Sequence, residues 1–146
     1  MTWMNAPNVT PKEMLGFIYS ITELNTGMIY IGQTKFWKVI KKKPTKYLRK
    51  DGKNVKDKDG KRILNPRTNK IHITKETDWR TYNSSSELLK KKIKKNPSNY
   101  KKEILQLCKT KMDMNCWETY MQLTYWVSGD WHLLLNECIN LRGRIR

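Results

Sequence analysis

Two tyrosines stand eleven positions apart, Tyr19 in "GFIYSIT" and Tyr30 in "MIYIG". A free phenol has a pKa of about 10, so only about one in a thousand is ionised at pH 7. Nearby cations favour the phenolate, and the lysines after Trp37 could supply them. The other reactive side chains are sparse. Cys108, Cys116 and Cys138 with His132 would make a zinc set, but none of the spacings is CxxC. They read instead as three small core thiols. An odd cysteine count fits a reducing compartment. His72 and His132 read as packing or surface residues rather than bases.

The elements that must position these groups follow from the pattern. "FIYSIT" and "MIYIG" are rich in β-branched and aromatic residues, and Asn25 and Gly27 between them suit a turn. If Thr22 pairs with Gly27, a four-residue loop sets Tyr19 opposite Tyr30 on one face. Ile18, Ile29 and Ile31 then take the other face. A slip of one residue would part the tyrosines. Residues 1–14 read as an irregular tether. "FWKVIKKK" reads as a helix start carrying Phe36, Trp37 and Ile40, ended by Pro44. "KDGKNVKDKDG" reads as an exposed loop, and "KIHIT" as a short strand. Ser84 and Glu87 match a capping box ahead of the Leu89/Ile93 apolar pair. "YKKEILQLC" is a strand candidate. Residues 113–127 form a helix with an apolar face so wide that it implies a central, buried position. The element order suggests an α+β domain: a small mixed sheet that starts with a β-hairpin and is flanked by helices.

Composition narrows the partners. The 146 residues fit one domain and carry a formal net charge of +17. Such a field attracts polyanions, nucleic acid ahead of anionic membrane. Residues 35–62 concentrate thirteen Lys and Arg against three Asp. No run approaches the roughly 20 apolar residues of a membrane span, and the N-terminus has no signal-like segment. A soluble, intracellular protein is expected.

The hairpin also resembles the GIY-YIG nuclease family. Phe17, Ile18 and Tyr19 stand for the first tripeptide, and Tyr30, Ile31 and Gly32 are a literal YIG. "KFW" is similar to the aromatic start of that family's first helix. "NSSSELLKKKIKKNPSNYKKEIL" is similar to its helix-to-strand segment. "WETYMQLTYWV" places Glu118 at the metal-binding position, and "LLLN" matches the closing asparagine with Asn136. The resemblance runs over roughly residues 15–142, within a single domain of residues 1–146, and is interrupted by a basic insert at about 38–78. "DWRTY" and "NLRGRI" are similar to a phage-encoded branch of the family.

The resemblance implies a metal-dependent DNA endonuclease that hydrolyses phosphodiester bonds. Tyr19 would be the general base and Tyr30 its positioning partner. Glu118 would hold Mg²⁺ or Mn²⁺; one carboxylate with several waters is ordinary Mg²⁺ ligation. Asn136 would orient a phosphate or a tyrosine. The family's arginine position, about ten residues after the YIG tyrosine, is Ile40 here. Lys41 or Arg49 would then contact the scissile phosphate, Lys as a point charge without the guanidinium fork. Asn83 falls where many relatives carry histidine. Lys35, Lys38, Lys42, Lys43, Arg80 and Arg142 are expected to track double-stranded DNA, with salt-sensitive affinity. A homodimer or a protein partner would supply specificity. The resemblance suggests a phage or mobile-element origin, hence the cytoplasm of an infected bacterium. The alternative is a basic DNA- or RNA-binding protein of the same fold that cuts nothing.

Overall fold

The computed structural model describes residues 2–42, 64–65 and 70–136. The chain divides into two compact units, Trp37–Thr77 and the remainder. The second of these holds a mixed four-stranded sheet and two helices. Its strands are β1 (Trp3–Met4), β2 (Gly16–Glu23), β3 (Ile29–Lys35) and β7 (Tyr100–Cys108), in the order β1-β7-β2-β3. β2 is antiparallel to both neighbours, whereas β1 is parallel to β7. The helices are α1 (Glu87–Lys95) and α2 (Lys111–Val127). The α+β expectation therefore holds.

The hairpin register differs from the expected one by two residues. Thr22 faces Ile29, Tyr19 faces Gly32 and Ile21 faces Tyr30. The longer loop closes through Glu23 N–H to Met28 O, and Gly27 takes φ +72° in it, a conformation glycine adopts without strain. A shift of two preserves the face of every side chain. Tyr19 and Tyr30 therefore remain on one face, as diagonal rather than direct neighbours.

The two faces of the sheet have different chemistry. On one, Phe17, Tyr19 and Ile21 are fully buried among Trp3, Phe36 and Trp79. Phe17 meets Trp3, Phe36 and Trp79 at ring distances of 5.4, 4.9 and 5.7 Å. On the other, Ile18 and Ile31 pack with Cys108 and Met114 of α2. The N-terminal segment is no tether. Trp3 is buried, pairs with Lys102 across β1 and β7, and donates its indole N–H to Trp79 O at 2.8 Å. Its large apolar ring outweighs the irregular sequence around it.

Three further expectations are corrected. The α1 N-cap is Ser86, whose hydroxyl accepts from Leu89 N–H, while buried Ser84 accepts from Ser86 N–H. The capping box belongs to α2, where Thr110 and Asp113 exchange side-chain-to-backbone bonds. Finally, α2 is not central. Met114, Glu118 and Gln122 are buried, but Tyr120, Trp126 and Val127 are exposed. Of the cysteines, Cys108 is buried and Cys116 exposed, so only the first behaves as a core thiol; Cys138 lies outside the described residues.

The unit Trp37–Thr77 contains an antiparallel sheet of β4 (Trp37–Lys42), β5 (Leu64–Asn65) and β6 (Lys70–Glu76), in the order β4-β6-β5. The helix expected over "FWKVIKKK" is thus a strand. Trp37, Val39 and Ile40 favour extended backbone, and β6 supplies a partner along the full length, from Trp37–Glu76 to Lys42–Ile71. Phe36 and Trp79 bracket this unit in sequence, and their rings meet at 5.0 Å within the other unit. The "KDGKNVKDKDG" loop lies outside the described residues. No helix among the described residues is long and apolar enough to cross a membrane.

Candidate active site

The site grows from a missing side chain. Gly32 faces Tyr19 across the hairpin. A Cβ there would lie 2.6 Å from the Tyr19 hydroxyl and 2.9 Å from Tyr30 Cε1. Only glycine leaves room for the Tyr19 ring to lie over β3 against Tyr30, with ring centroids 6.2 Å apart. The YIG tripeptide thus couples one tyrosine to the vacancy that seats the other.

The two phenols occupy unlike surroundings. Tyr19 is sealed from solvent, and Tyr82 and Ser84 lie beside its hydroxyl, although among the described residues none meets it in ordinary hydrogen-bond geometry. Burial pushes its phenol far above the ordinary tyrosine range, and the neighbouring Tyr82 and Tyr30 add to the shift. Tyr30 is half-buried, and its hydroxyl shares a 2.7 Å hydrogen bond with Ser85 Oγ. It opens onto a cavity of about 510 Å³ whose lining includes Ser85, Lys92, Gln122, Leu135 and Asn136.

Asn136 closes the free edge of β3. Its amide oxygen accepts from Ile31 N–H at 2.9 Å, and its amide nitrogen donates to Ile31 O at 2.7 Å. Leu135 N–H donates to Ile29 O beside it. The side chain replaces a neighbouring strand at one residue, so its polar atoms serve the backbone of the YIG strand.

Glu118 stands on the opposite face of the sheet. Its carboxylate accepts from Gln33 Nε2, which also donates to Asn115 Oδ1 at 3.1 Å. Gln33 Oε1 in turn accepts from Lys111 Nζ at 2.6 Å. Burial pushes the Glu118 carboxyl up, opposed by the Gln33 hydrogen bond and the Lys111 charge. The tyrosines therefore do not look toward Glu118: Tyr30 and Gly32 alternate with Ile31 and Gln33 along β3, and Glu118 belongs to the latter face. The tyrosines and the carboxylate flank one edge strand from its two sides. Among the described residues no group of three or more His, Cys, Asp and Glu could hold a metal ion. The donors that do meet are one carboxylate and amide oxygens, a hard-oxygen set that fits Mg²⁺ retaining most of its water and does not fit a zinc site.

The candidate cations belong to different elements of the two units. Lys41 is exposed on β4, opposite His72, and Lys38 and Lys42 are exposed on the same strand. Lys35 is exposed at the end of β3. Arg80 stacks on Trp79 at 4.3 Å and donates to Asn8 O. Arg49, Lys43 and Arg142 lie outside the described residues. Asn83 accepts from Lys102 Nζ at 3.2 Å. Lys102 is itself buried, sits over the Trp3 ring and donates to Tyr82 O, and desolvation pulls it down to about 8.

Sequence reasoning missed Gly32 as a seat, Ser85, Gln33, Gln122 and Lys92. Among the described residues lining the cavity beside Tyr30, Lys92 is the one cation. A signal for it existed: Lys92 lies three residues after buried Leu89, beside the inward stripe of α1.

Comparison with protein families matches residues 3–131 to the family described as "Putative endonuclease segE, GIY-YIG domain". Comparison with curated proteins and with solved structures gives no match. The match spans most of the chain, including the hairpin, Gly32 and the whole of α2. The chain belongs to the GIY-YIG endonuclease family.

Proposed function

We propose that this protein is a divalent-metal-dependent endonuclease that hydrolyses phosphodiester bonds in double-stranded DNA along the two sides of β3. The observation that carries this reading is the Tyr30 hydroxyl, held by Ser85 at the mouth of a cavity that also contains a cation, Lys92. Hydrolysis needs an oriented water, neutralised phosphoryl oxygens and a stabilised leaving oxygen. The Tyr30–Ser85 pair orients the attacking water, whose proton passes through the Tyr30 hydroxyl to solvent. Lys92 takes the phosphate contact that an arginine makes elsewhere in the family, as a point charge rather than a fork. Glu118 would hold the metal, with its carboxylate fixed by Gln33. A Mg²⁺ or Mn²⁺ ion bound there would supply Lewis-acid stabilisation of the phosphoryl oxygens. Tyr19, cut off from solvent, acts as a positioning residue that sets the Tyr30 ring. Asn136 holds the YIG strand, and the exposed lysines Lys38, Lys41 and Lys42 extend the contact with the phosphate backbone.

Nicking of supercoiled plasmid in Mg²⁺ tests the reading, with wild type compared with Glu118→Ala and Lys92→Ala. Wild type is expected to cut and both variants to lose activity. Equal cleavage by all three overturns the site. Tight, salt-sensitive binding without cleavage by wild type would assign the chain to the non-cutting alternative.

A further inference from the structure

Helix α2 is apolar on two opposite faces. The inward face carries Met114, Met121 and Tyr125. The outward face carries Met112, Cys116, Tyr120, Leu123 and Val127, a stripe at helical spacing. Those side chains are exposed: Met112 by 65 %, Tyr120 by 59 %, Leu123 by 39 % and Val127 by 88 %. Cys116 is exposed as well. Trp117 and Trp126 flank the stripe, and both stand in solvent. An apolar stripe of this length is normally covered, and among the described residues nothing covers this one.

Two observations select the occupant. The first is charge. The chain has 30 Lys and Arg, yet between Met112 and Asn136 there is none. A surface that bound nucleic acid would need cations, and two copies of a protein of net charge +17 can approach only through a face that has none. The second is spacing. About a point between Thr119 and Tyr120, Met112 and Cys116 lie at the same distances as Val127 and Leu123, and Tyr120 falls opposite Thr119. A two-fold axis there sets Met112 of one copy against Val127 of the other, and Cys116 against Leu123. That is the self-complementarity an isologous interface requires, with aromatic residues at its core as such interfaces favour.

We propose that the outward face of α2 is a homodimer interface in which two copies pack antiparallel about that axis. The proposal does not depend on the nuclease reading; joined to it, the dimer carries one active site for each strand of a duplex.

Light scattering and sedimentation equilibrium of the full chain, without DNA, test it. Between about 1 and 100 µM the protein should run as a dimer, since oligomer populations follow mass action. The expected mass is about 35 kDa, twice the 17.5 kDa of one chain. Leu123→Lys should weaken dimerisation by about 100-fold, because it buries an unpaired charge at the centre of the interface. Far-UV circular dichroism should stay unchanged, since Leu123 is already exposed in the single chain. Thr119→Cys in a Cys116→Ala background should form an oxidised dimer, while Ser128→Cys in the same background should not. A wild type that stays at the monomer mass overturns the proposal and assigns the face to another protein or to the chain's own C-terminal residues. A dimer that survives Leu123→Lys and fails to cross-link through Thr119→Cys overturns it equally.

Discussion

The two faces of the main sheet are built from the same strands yet serve opposite needs. The face of Phe17 and Tyr19 is a closed aromatic stack under Trp3 and Trp79. The face of Ile18 and Ile31 is aliphatic at its centre and turns polar along β3, where Gln33, Asn115, Glu118 and Lys111 form a hydrogen-bonded chain. Tyr19 is thus a residue of packing and Glu118 a residue of charge. Tyr30 lies on the aromatic face but at the edge strand, where packing ends and the cavity begins. The difference shows how one motif can hold two tyrosines with unlike duties: position across the sheet, centre against edge, decides which one meets water.

The sharpest way to break this contrast is through activity. Glu118→Ala should lower the plasmid nicking rate by about 1000-fold, the scale of losing a metal ligand and its charge stabilisation. Tyr30→Phe should cost about 100-fold, as for a lost proton-handling or water-orienting group, and Tyr19→Phe less than about 10-fold. Comparable initial rates for Tyr30→Phe and wild type, with Tyr19→Phe inactive, would reverse the assignment of the two phenols.

Stability probes the aromatic face next. Gly32→Ala forces a Cβ into the Tyr19 and Tyr30 rings and should destabilise the fold by about 1–3 kcal/mol in urea titrations. An unchanged midpoint would mean that the rings move freely, against a packed pair. The pH dependence of stability probes Lys102, on the same face. Its ammonium is pulled down to about 8 by burial, against about 10.4 for an unfolded lysine. Between those values the unfolded chain binds more protons than the folded one, so this residue makes stability rise with pH across that window. Below the lower value its cost is fully present. The side-chain nitrogen resonance of Lys102 should titrate near 8, and the extra slope should vanish in Lys102→Met. A midpoint at the ordinary lysine value would show that the face is wetter than its packing implies.

Much of this was legible in the chain. The hairpin, β7 and α2 have strong local patterns, and the shared face of the tyrosines survived a register error because the error was even. The identity of β4 was not legible, since Phe36, Trp37 and Ile40 satisfy a helical period while its real partner, β6, lies far along the chain. Local spacing also cannot say which side of a sheet a helix covers, so it leaves open whether Glu118 shares the tyrosines' face. The apolar breadth of α2 is legible as a pattern but its place is not: a wide face implies a central helix, whereas among the described residues only one side of it is covered. Lys92 was hidden among many lysines, and only its place in the fold separates it from the others.

The contact between Phe36 and Trp79, 5.0 Å from ring to ring, has a consequence for ancestry. The chain departs from the nuclease body and rejoins it at residues already held side by side, so the length of what lies between costs the body little closure entropy. Such a junction works as an exchange port. A gene can gain, shorten or replace the cassette between these two residues while the catalytic scaffold stays folded.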